Sequence, residues 1–180
     1  MEKWLETKGE IVLREIGIKE GMRILDFGCG SGVYTIIISK IVGINGEVYA
    51  LDNDEDSLNE LSNKLKSSKI KNVKIIKGSK QIAIPFEKDY FDFFLLYDVF
   101  HLLENNNRDT ILREAYRVLK KDGILSYHAT HIGSYDINLE KVQQQIIMHG
   151  FRIKEEFRKP MFHWSRIEEG LVFNYVKNKF

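Results

Sequence analysis

The sequence predicts an α/β fold in which helices cover both faces of a largely parallel sheet. Short β-type runs alternate with amphipathic runs five times along the 180 residues, which is the pattern of strand–helix–strand units. The last two β-type runs, residues 151–157 and 171–176, have no helix between them, so we expect them to pair as antiparallel neighbours. At this length we expect a single domain over residues 1–180, with residues 1–20 as an N-terminal helix or lid.

The first half of the chain contains three predicted helices. Residues 2–16 have apolar side chains on one side of a helix, whereas residues 33–42 are apolar nearly all round, as in a helix packed on a sheet. A third helix follows Asp54, which we expect to be its N-cap. The predicted strands that separate these helices cover residues 22–26, 47–51 and 73–77.

The second half continues the alternation. Residues 91–97 are nearly continuously apolar, which indicates a strand buried on both faces. A helix is predicted over residues 108–120 with Asn107 as its cap, followed by a strand over 123–128. A last helix over 138–149 should stop at Gly150, since glycine is the usual residue just beyond a helix end.

Composition excludes several classes of protein. With 43% hydrophobic and 29% charged residues the chain resembles ordinary globular proteins rather than disordered ones. The one cysteine permits no intrachain disulfide, the N-terminus lacks the apolar core of a signal peptide, and no apolar stretch is long enough to span a bilayer. These features predict a cytoplasmic protein.

Positive charge is concentrated in one segment. Residues 61–80 contain seven lysines and no acidic residue, although the net charge of the whole chain is only +1. Such a run can form a nucleic-acid patch or a solvated helix face with a lysine-capped strand. We favour the solvated face and do not expect a nucleic-acid partner.

A glycine-rich loop follows the first predicted strand, where residues 24–32 read I-L-D-F-G-C-G-S-G. Glycine is needed where a backbone turns with positive φ or approaches a ligand closely, and the free N–H groups at the start of the next helix face such a ligand. Asp52 lies 20 residues after Gly32, at the end of the second strand, where an acidic residue can bind a ribose diol. Together, the glycine loop, Asp26 just before it and Asp52 indicate a nucleotide-like cofactor. The loop differs from the G-x-G-x-x-G motif of dinucleotide sites, because position 33, where that motif has its third glycine, is Val33.

The chain resembles the class I S-adenosylmethionine-dependent methyltransferases, in their small-molecule group, over nearly its whole length. The resemblance is carried by the loop at 24–32, V-Y-A-L-D-N-D at 48–54, I-P-F at 84–86, the segment 91–103 and R-E-A-Y-R-V-L-K-K-D-G at 113–123. It implies a three-layer, Rossmann-like sandwich whose seven strands run in the order 3-2-1-4-5-7-6, with strand seven antiparallel. It also implies that S-adenosylmethionine lies across the carboxyl ends of strands one, two and four, with S-adenosylhomocysteine as the product.

The resemblance implies a set of cofactor-binding residues. By this resemblance, the three loop glycines line the methionine and ribose portion of S-adenosylmethionine. Asp26 orients the amino group of the cofactor or the loop, and Asp52 holds both ribose hydroxyls. Asn53 would pack on the adenine, beside residues 78–80, where G-S-K stands in place of the family's usual G-D-A. The full set is Asp26, Phe27, Gly28, Gly30, Gly32, Asp52, Asn53, Gly78, Ser79, Lys80, Tyr97 and Asp98.

Several histidines, one cysteine and an aromatic segment lie outside that set, and none of them can be identified as catalytic from the sequence. His101 follows the fourth strand, and His128 and His131 follow the fifth, so all three should lie on the catalytic side of the sheet. One of them could act as a general base; no suitable carboxylate pair accompanies them, so we predict no metal site. Cys29 has no neighbours that would make it a nucleophile, and residues 162–164 could form an aromatic lip or a dimer contact.

The function predicted on these grounds is methyl transfer to an unidentified small molecule. The alternatives are a non-catalytic cofactor-binding or scaffold subunit of the same fold, and an RNA or protein methyltransferase that uses the lysine run. The segments that could enclose an acceptor are short, so we expect a site open to solvent or closed by the first helix or by the second subunit of a homodimer.

Overall fold

The computed structural model describes residues 4–79, 82–135 and 137–178. Seven strands form one sheet in the order β3-β2-β1-β4-β5-β7-β6. Strand β7 pairs antiparallel with both β5 and β6, and the other pairs are parallel. This confirms the predicted fold class, strand order and antiparallel seventh strand. The strands are β1 (Arg23–Phe27), β2 (Glu47–Asp52), β3 (Val73–Lys77), β4 (Phe91–Tyr97), β5 (Leu119–Ala129), β6 (Phe151–His163) and β7 (Arg166–Lys177).

Helices cover both faces of this sheet. One face carries α1 (Gly9–Ile16) and α2 (Val33–Val42), whose apolar side chains share a core with β1 and β4. The other face carries α4 (Asn105–Val118) and α5 (Leu139–Met148), packed on a larger apolar core. The remaining helix, α3 (Glu55–Ser67), packs Leu61 and Leu65 against Ala50 of β2. No helix in the described residues combines the length and hydropathy needed to cross a membrane.

Two predicted helix boundaries are confirmed, whereas the helix predicted over residues 108–120 is wrong at both ends, because α4 ends at Val118 and β5 begins at Leu119. Asp54 caps α3 by accepting a hydrogen bond from the Ser57 N–H at 2.9 Å, and Gly150 follows α5 with φ +89°. Asn107 is not a cap, because α4 begins two residues earlier at Asn105.

The last two strands are longer than their apolar runs predicted. They extend to His163 and from Arg166, so Phe162 and His163 belong to β6 and only Trp164 and Ser165 form the turn. The hairpin could extend because its pairing is made by the backbone, which does not require apolar side chains.

Most of the predicted N-terminal lid is part of the core. Leu13 and Ile16 of α1 are fully buried, and the Asn174 side-chain amide donates to the Ile16 carbonyl at 2.6 Å. Trp4, in a π-helical turn before α1, is also buried and donates from Nε1 to the Pro160 carbonyl at 2.7 Å. This turn reaches the carboxyl edge of the sheet through the stacking of Trp4 on Phe162.

Candidate active site

A cavity of about 650 Å³ opens where the carboxyl ends of β1, β2 and β4 meet. This is the point at which ligands bind in open α/β sheets, and the volume is within the usual range for small-molecule sites. The residues that line it are Phe27, Gly28, Cys29, Gly30, Ser31, Val33, Tyr34, Leu51, Asp52, Asn53, Gly78, Ser79, Ile82, Ala83, Tyr97, Asp98, Val99, Leu102, Leu103, Asn107 and Phe162.

Nine of the twelve predicted cofactor-binding residues line this cavity: Phe27, Gly28, Gly30, Asp52, Asn53, Gly78, Ser79, Tyr97 and Asp98. Asp26 and Gly32 lie beside it without lining it, and Lys80 is outside the described residues. Their roles toward a cofactor stay predictions. The structure shows that the glycine loop after β1 lies at one site with the carboxyl ends of β2 and β4.

The loop glycines are required for two different reasons. Gly28 has φ +75°, and a Cβ there would lie 2.5 Å from Val99 Cγ2, so the β4 end leaves no room for a side chain. Gly32 has φ +82°, and its Cβ would lie 2.3 Å from Leu61 Cδ1, so it permits close packing of α3. Gly30 has φ +51° but nothing within 4 Å of its Cβ position, so the loop presents bare backbone to open space there.

Asp52 is fixed by the loop that it faces. Its Oδ2 accepts a hydrogen bond from the Gly30 N–H at 2.7 Å, and its Oδ1 accepts from the Asp54 N–H at 2.9 Å. The Gly28 N–H donates to the Leu51 carbonyl at 2.8 Å, which ties the same loop to the end of β2. A carboxylate has about four acceptor positions, so both oxygens can still accept hydrogen bonds from a ligand's hydroxyls.

Asp26 lies beneath the loop rather than in the cavity. It is 3% exposed and accepts a hydrogen bond from Thr35 Oγ1 at 2.6 Å, which joins the end of β1 to α2. Burial raises the pKa of its carboxyl to about 6, partly offset by the hydrogen bond from Thr35, and the nearby charge of Asp52 raises it further. Asp26 therefore supports the loop from below and titrates close to neutral pH.

Cys29 lines the cavity but is a poor nucleophile. Burial raises the pKa of its thiol well above the ordinary value, and the negative charges of Asp26 and Asp52 raise it further. The thiolate is the reactive form, so this thiol stays protonated and inert at neutral pH. The cysteine is a small side chain in a tight loop, as the sequence indicated.

The end of β4 supplies the opposite wall. The Tyr97 hydroxyl hydrogen-bonds with Ser126 Oγ at 2.8 Å inside the protein, so Tyr97 borders the cavity while its polar end is held in the core. Tyr34 donates to the Phe162 carbonyl at 2.8 Å, which brings the β6–β7 hairpin against the start of α2. The sequence had not singled out Tyr34, whose only signal was its place directly after the glycine loop.

Beside this wall lies a group of four side chains whose proximity was not predicted from the sequence. We call it the histidine cluster; it consists of Asp98, His101, His131 and His163. His131 Nε2 and His163 Nε2 are 3.4 and 3.3 Å from Asp98 Oδ1, and 3.2 Å from each other. His101 Nδ1 is 3.7 Å from the same carboxylate oxygen, and its pKa is lowered, mainly by burial. The group was missed because His163 is in a hairpin far along the chain, whereas Asp98 was considered only as a cofactor residue.

His128 is not part of the cluster or of the cavity lining. It is 2% exposed, and burial lowers its pKa to about 3, with the charge of His163 acting in the same direction. A neutral imidazole held inside the sheet has no access to a substrate in the cavity. Of the three histidines considered as general bases, His128 is therefore excluded by its position.

Comparison with known proteins agrees with the geometry. The model of a family described as "Methyltransferase domain" matches residues 18–169. Demethylmenaquinone methyltransferase from Geobacillus sp. (strain WCH70) is 34% identical over 121 residues, which cover 67% of this chain and 49% of that protein. The protein of the same name from Staphylococcus aureus (strain MRSA252) is 36% identical over 63% of this chain and 45% of its own length. The chain thus spans about half the length of the curated relatives that it matches.

Solved structures share the fold over nearly the whole chain. A SAM-dependent methyltransferase from Aquifex aeolicus superposes with a TM-score of 0.78 at 27% identity and covers 94% of this chain and 89% of its own. A TehB-like SAM-dependent methyltransferase from Corynebacterium glutamicum has a TM-score of 0.74 at 22% identity over 94% of this chain and 88% of its own. With the family match, the fold and the glycine loop in agreement, the chain belongs to the class I S-adenosylmethionine-dependent methyltransferases.

Proposed function

We propose that this protein transfers the methyl group of S-adenosylmethionine to a small-molecule acceptor by in-line displacement. The observation that carries the proposal is the cavity itself, which joins a bare glycine loop, the carboxylate of Asp52 and the carboxylate of Asp98 in one space. When bound, S-adenosylmethionine supplies an electrophilic methyl group, so no covalent enzyme intermediate is required. This agrees with the inert thiol of Cys29.

The residues present fit the cofactor. Asp52 is positioned by two backbone N–H groups and can accept further hydrogen bonds from both ribose hydroxyls. Open space over Gly30 lets a ligand approach the loop backbone, and Asn53 and Gly78 border the same end of the cavity, where an adenine would lie. The buried Asp98 Oδ1 has no hydrogen-bond partner and is a second unused acceptor.

The charge of the site suits a cationic ligand. None of the described lining residues is lysine or arginine, whereas Asp52 and Asp98 are among them and Asp26 lies just below. Unlike charges attract more strongly where low-dielectric walls exclude water, so the sulfonium and amino groups of the cofactor are favoured here. The same charges disfavour a polyphosphate ligand.

The chain's own contribution to the reaction is orientation. Methyl transfer requires the acceptor atom in line with the S–CH₃ bond at about 3–3.5 Å, and holding that geometry supplies most of the rate. The walls away from Asp52 are apolar and aromatic: Tyr34, Leu102, Leu103 and Phe162 can hold a flat apolar acceptor and exclude water. Because these residues offer few polar groups, we infer an aromatic or quinone-like acceptor.

The relatives support this acceptor class. Two relatives, at 34% and 36% identity, are named for methylation of demethylmenaquinone, a small molecule. Three of the seven lysines in the lysine-rich segment are paired with carboxylates: Lys64 with Glu60 and Lys74 with Glu47, both at 2.6 Å, and Lys77 with Glu55. Lysines already paired with carboxylates favour a solvated surface over an RNA-binding patch.

The test has a binding step and a transfer step. Calorimetric titration with S-adenosylmethionine and S-adenosylhomocysteine should show one site per chain, and labelled cofactor should then label hydroquinone or phenolic acceptors. Absence of binding of either ligand would overturn the proposal. Binding with no transfer to any small molecule would favour the non-catalytic subunit, and label in RNA with steeply salt-dependent binding would favour an RNA substrate.

A further inference from the structure

We propose that the histidine cluster is a binding site for one divalent transition metal ion of the zinc type, placed at the edge of the cavity. The site goes beyond the proposed function, because methyl transfer from S-adenosylmethionine needs no metal. The ligand atoms would be one oxygen of Asp98 and one ring nitrogen each of His101, His131 and His163. Among the described residues, Asp98, His101 and His131 already place ligand atoms within 4.8 Å of one another.

The distances match a tetrahedral ion. Zinc binds imidazole nitrogen and carboxylate oxygen at about 2.0–2.1 Å, which sets the edge of the ligand tetrahedron at about 3.3–3.4 Å. Asp98 Oδ1, His131 Nε2 and His163 Nε2 form a triangle with edges of 3.4, 3.3 and 3.2 Å. His101 Nδ1 is 3.7 Å from the Asp98 oxygen, and His101 has a ligand atom within 4.8 Å of that of His131, so His101 would supply the fourth ligand by moving toward this triangle.

Of the four converging atoms, Asp98 Oδ1 and His101 Nδ1 have no hydrogen-bond partner, and the Nε2 atoms of His131 and His163 hydrogen-bond only to each other, at 3.2 Å. His163 Nδ1 is 2.5 Å from Glu168 Oε1 and must donate its proton there, so the Nε2 of the neutral ring carries a lone pair. That lone pair faces the Asp98 carboxylate oxygen, which has no hydrogen-bond partner, and His101 Nδ1 also has none. Buried acceptors that face one another repel unless a cation lies between them, so the geometry calls for a metal ion or an added proton.

Burial and supporting contacts are those of a metal site. The side chains of His101, His131 and His163 are 3%, 7% and 7% exposed, so each imidazole is withdrawn from water. Glu168 orients His163 through the nitrogen that does not face the centre, as the carboxylate partner of a metal-bound histidine does. The rings of Trp164 and Tyr135 lie 4.8 Å from the His131 ring and cover the cluster from outside.

Two of the proposed ligands, and the hairpin turn that follows a third, have left-handed backbone. Asp98 and His131 have positive φ values of 53° and 57°, and Trp164, directly after His163, has φ 45°. Such backbone costs about 1–3 kcal/mol per residue and persists only where the surroundings enforce it. A bound ion would compensate for this strain by joining the end of β4, the loop after β5 and the tip of the β6–β7 hairpin.

The donor set selects the ion. Imidazole nitrogen favours zinc, copper, nickel and iron, whereas magnesium and calcium prefer sites made of oxygen atoms. With three histidines and one aspartate the cluster supplies four protein ligands, which is the closed arrangement of a structural zinc site. We therefore assign it the role of fixing the acceptor-side wall, to which Asp98 also belongs.

The experiment titrates chelator-treated, desalted full-length protein with Zn²⁺, and in parallel with Co²⁺ and Mg²⁺. We expect one Zn²⁺ per chain, an increase in the thermal unfolding temperature, and the intense visible absorption of tetrahedral Co²⁺. Mg²⁺ should produce no shift. In His131→Ala the Zn²⁺ affinity should fall by about 100-fold or more, and in Glu168→Gln by about 10–100-fold, as for loss of a ligand's supporting carboxylate.

The matched control is His149→Ala, because His149 pairs with Asp109 at the end of α5, outside the cluster. Its Zn²⁺ affinity should equal that of the wild type. No Zn²⁺ bound by the wild-type chain at micromolar concentration, or equal losses in His149→Ala and His131→Ala, would overturn the proposal and leave a proton as the cation. Asp98 belongs to both proposed sites, so S-adenosylhomocysteine binding is measured on wild type and on His131→Ala, both metal-free. Binding by both samples supports the proposed function whatever the Zn²⁺ result, because the histidines do not line the cavity.

Discussion

The two halves of the carboxyl edge are built in opposite ways. The half formed by β1 and β2 consists mainly of backbone: the glycine loop with its peptide N–H groups and the short side chain of Asp52, all within residues 26–54. The half formed by β4, β5 and the β6–β7 hairpin uses large side chains from distant parts of the chain, with His163 lying 65 residues after Asp98 in sequence yet 3.3 Å from it. One half is a local motif, and the other exists only after the sheet has formed.

This difference bears on function. The cofactor is common to the whole family, and a local loop with few side chains suffices to bind it. Acceptors differ between members, and the hairpin side offers more side chains that can change without affecting the glycine loop. Under the proposed function, the cavity joins a half that binds the cofactor to a half that binds the acceptor, and we expect each to be perturbed by itself.

The largest effect is expected from removing the side chain that holds the hairpin half. Trp4 is buried, lies 6.4 Å from the Phe162 ring and donates to the Pro160 carbonyl. We expect Trp4→Ala to lower the free energy of unfolding by about 3–5 kcal/mol, the usual range for deleting a buried aromatic ring. Denaturant unfolding measures this loss.

The matched variant Trp4→Phe keeps a smaller ring but loses the Nε1–H donor to the Pro160 carbonyl, so it should cost about 1–3 kcal/mol, less than Trp4→Ala. In Trp4→Ala methyl transfer should fall more than S-adenosylhomocysteine affinity, because Phe162 borders the cavity away from Asp52. An equal fall in both would show that the two halves are not separable.

The second-largest expected effect is a pH dependence of the free energy of unfolding, caused by Asp26 beneath the glycine loop. Burial raises the Asp26 pKa from 3.8 to about 6, so between these values the folded state binds more protons than the unfolded chain. Stability contributed by this group is therefore present at low pH and is lost as pH rises through about 6. At 1.36 kcal/mol per pKa unit the loss is about 3 kcal/mol.

Asp26→Asn removes the titration but keeps an oxygen that can accept from Thr35. The unfolding free energy of wild type minus that of the variant should fall by about 3 kcal/mol between about pH 4 and pH 7. Denaturant curves at a series of pH values measure it. A difference that is constant across this range would mean that Asp26 is not buried as a neutral acid.

Sequence reasoning succeeded where the signal is local. The alternation of elements is such a local pattern, and it predicted a largely parallel sheet. The strand order and the nine predicted residues that line the cavity came from the family resemblance, which the glycine loop, Asp52 and other short segments carry. The antiparallel last strand followed from the missing helix between the last two runs. Backbone geometry enforces these features, so they leave a mark in the sequence.

The histidine cluster could not be predicted from a local pattern in the sequence. His101 and His131 were each recognised as residues after a strand, but their approach to His163 depends on how far β6 and β7 extend, and the strand pattern underestimated that. For Asp26 the resemblance likewise left two roles open, orienting the cofactor's amino group or the loop, because the motif cannot tell whether a carboxyl faces the cavity or the core. Proximity between distant segments is set by packing, which the residue order alone does not reveal.

The third effect tests the ribose anchor of the backbone half. Asp52→Ala removes a charged acceptor, and hydrogen bonds to charged groups are each worth about 1.5–3 kcal/mol. We expect S-adenosylhomocysteine affinity to fall by that amount, which calorimetry can measure, while the protein stays folded. Asp56→Ala is the control: Asp56 is exposed in the first turn of α3, so its loss should leave affinity unchanged. Unchanged affinity in Asp52→Ala would remove Asp52 from the site.

The smallest expected effect comes from two glycines that both have left-handed backbone and open space at the Cβ position. Comparing them distinguishes close approach of a ligand from the cost of the backbone conformation. Gly30 and Gly133 have φ values of +51° and +82°, and neither has an atom within 4 Å of its Cβ position. Alanine at either position should cost about 1–2 kcal/mol of stability, since left-handed backbone is unfavourable for any residue with a Cβ. Only Gly30 lines the cavity, so only Gly30→Ala should also weaken S-adenosylhomocysteine binding. If both variants bind as the wild type does, the ligand does not approach the loop at Gly30, and the bare backbone serves the turn alone.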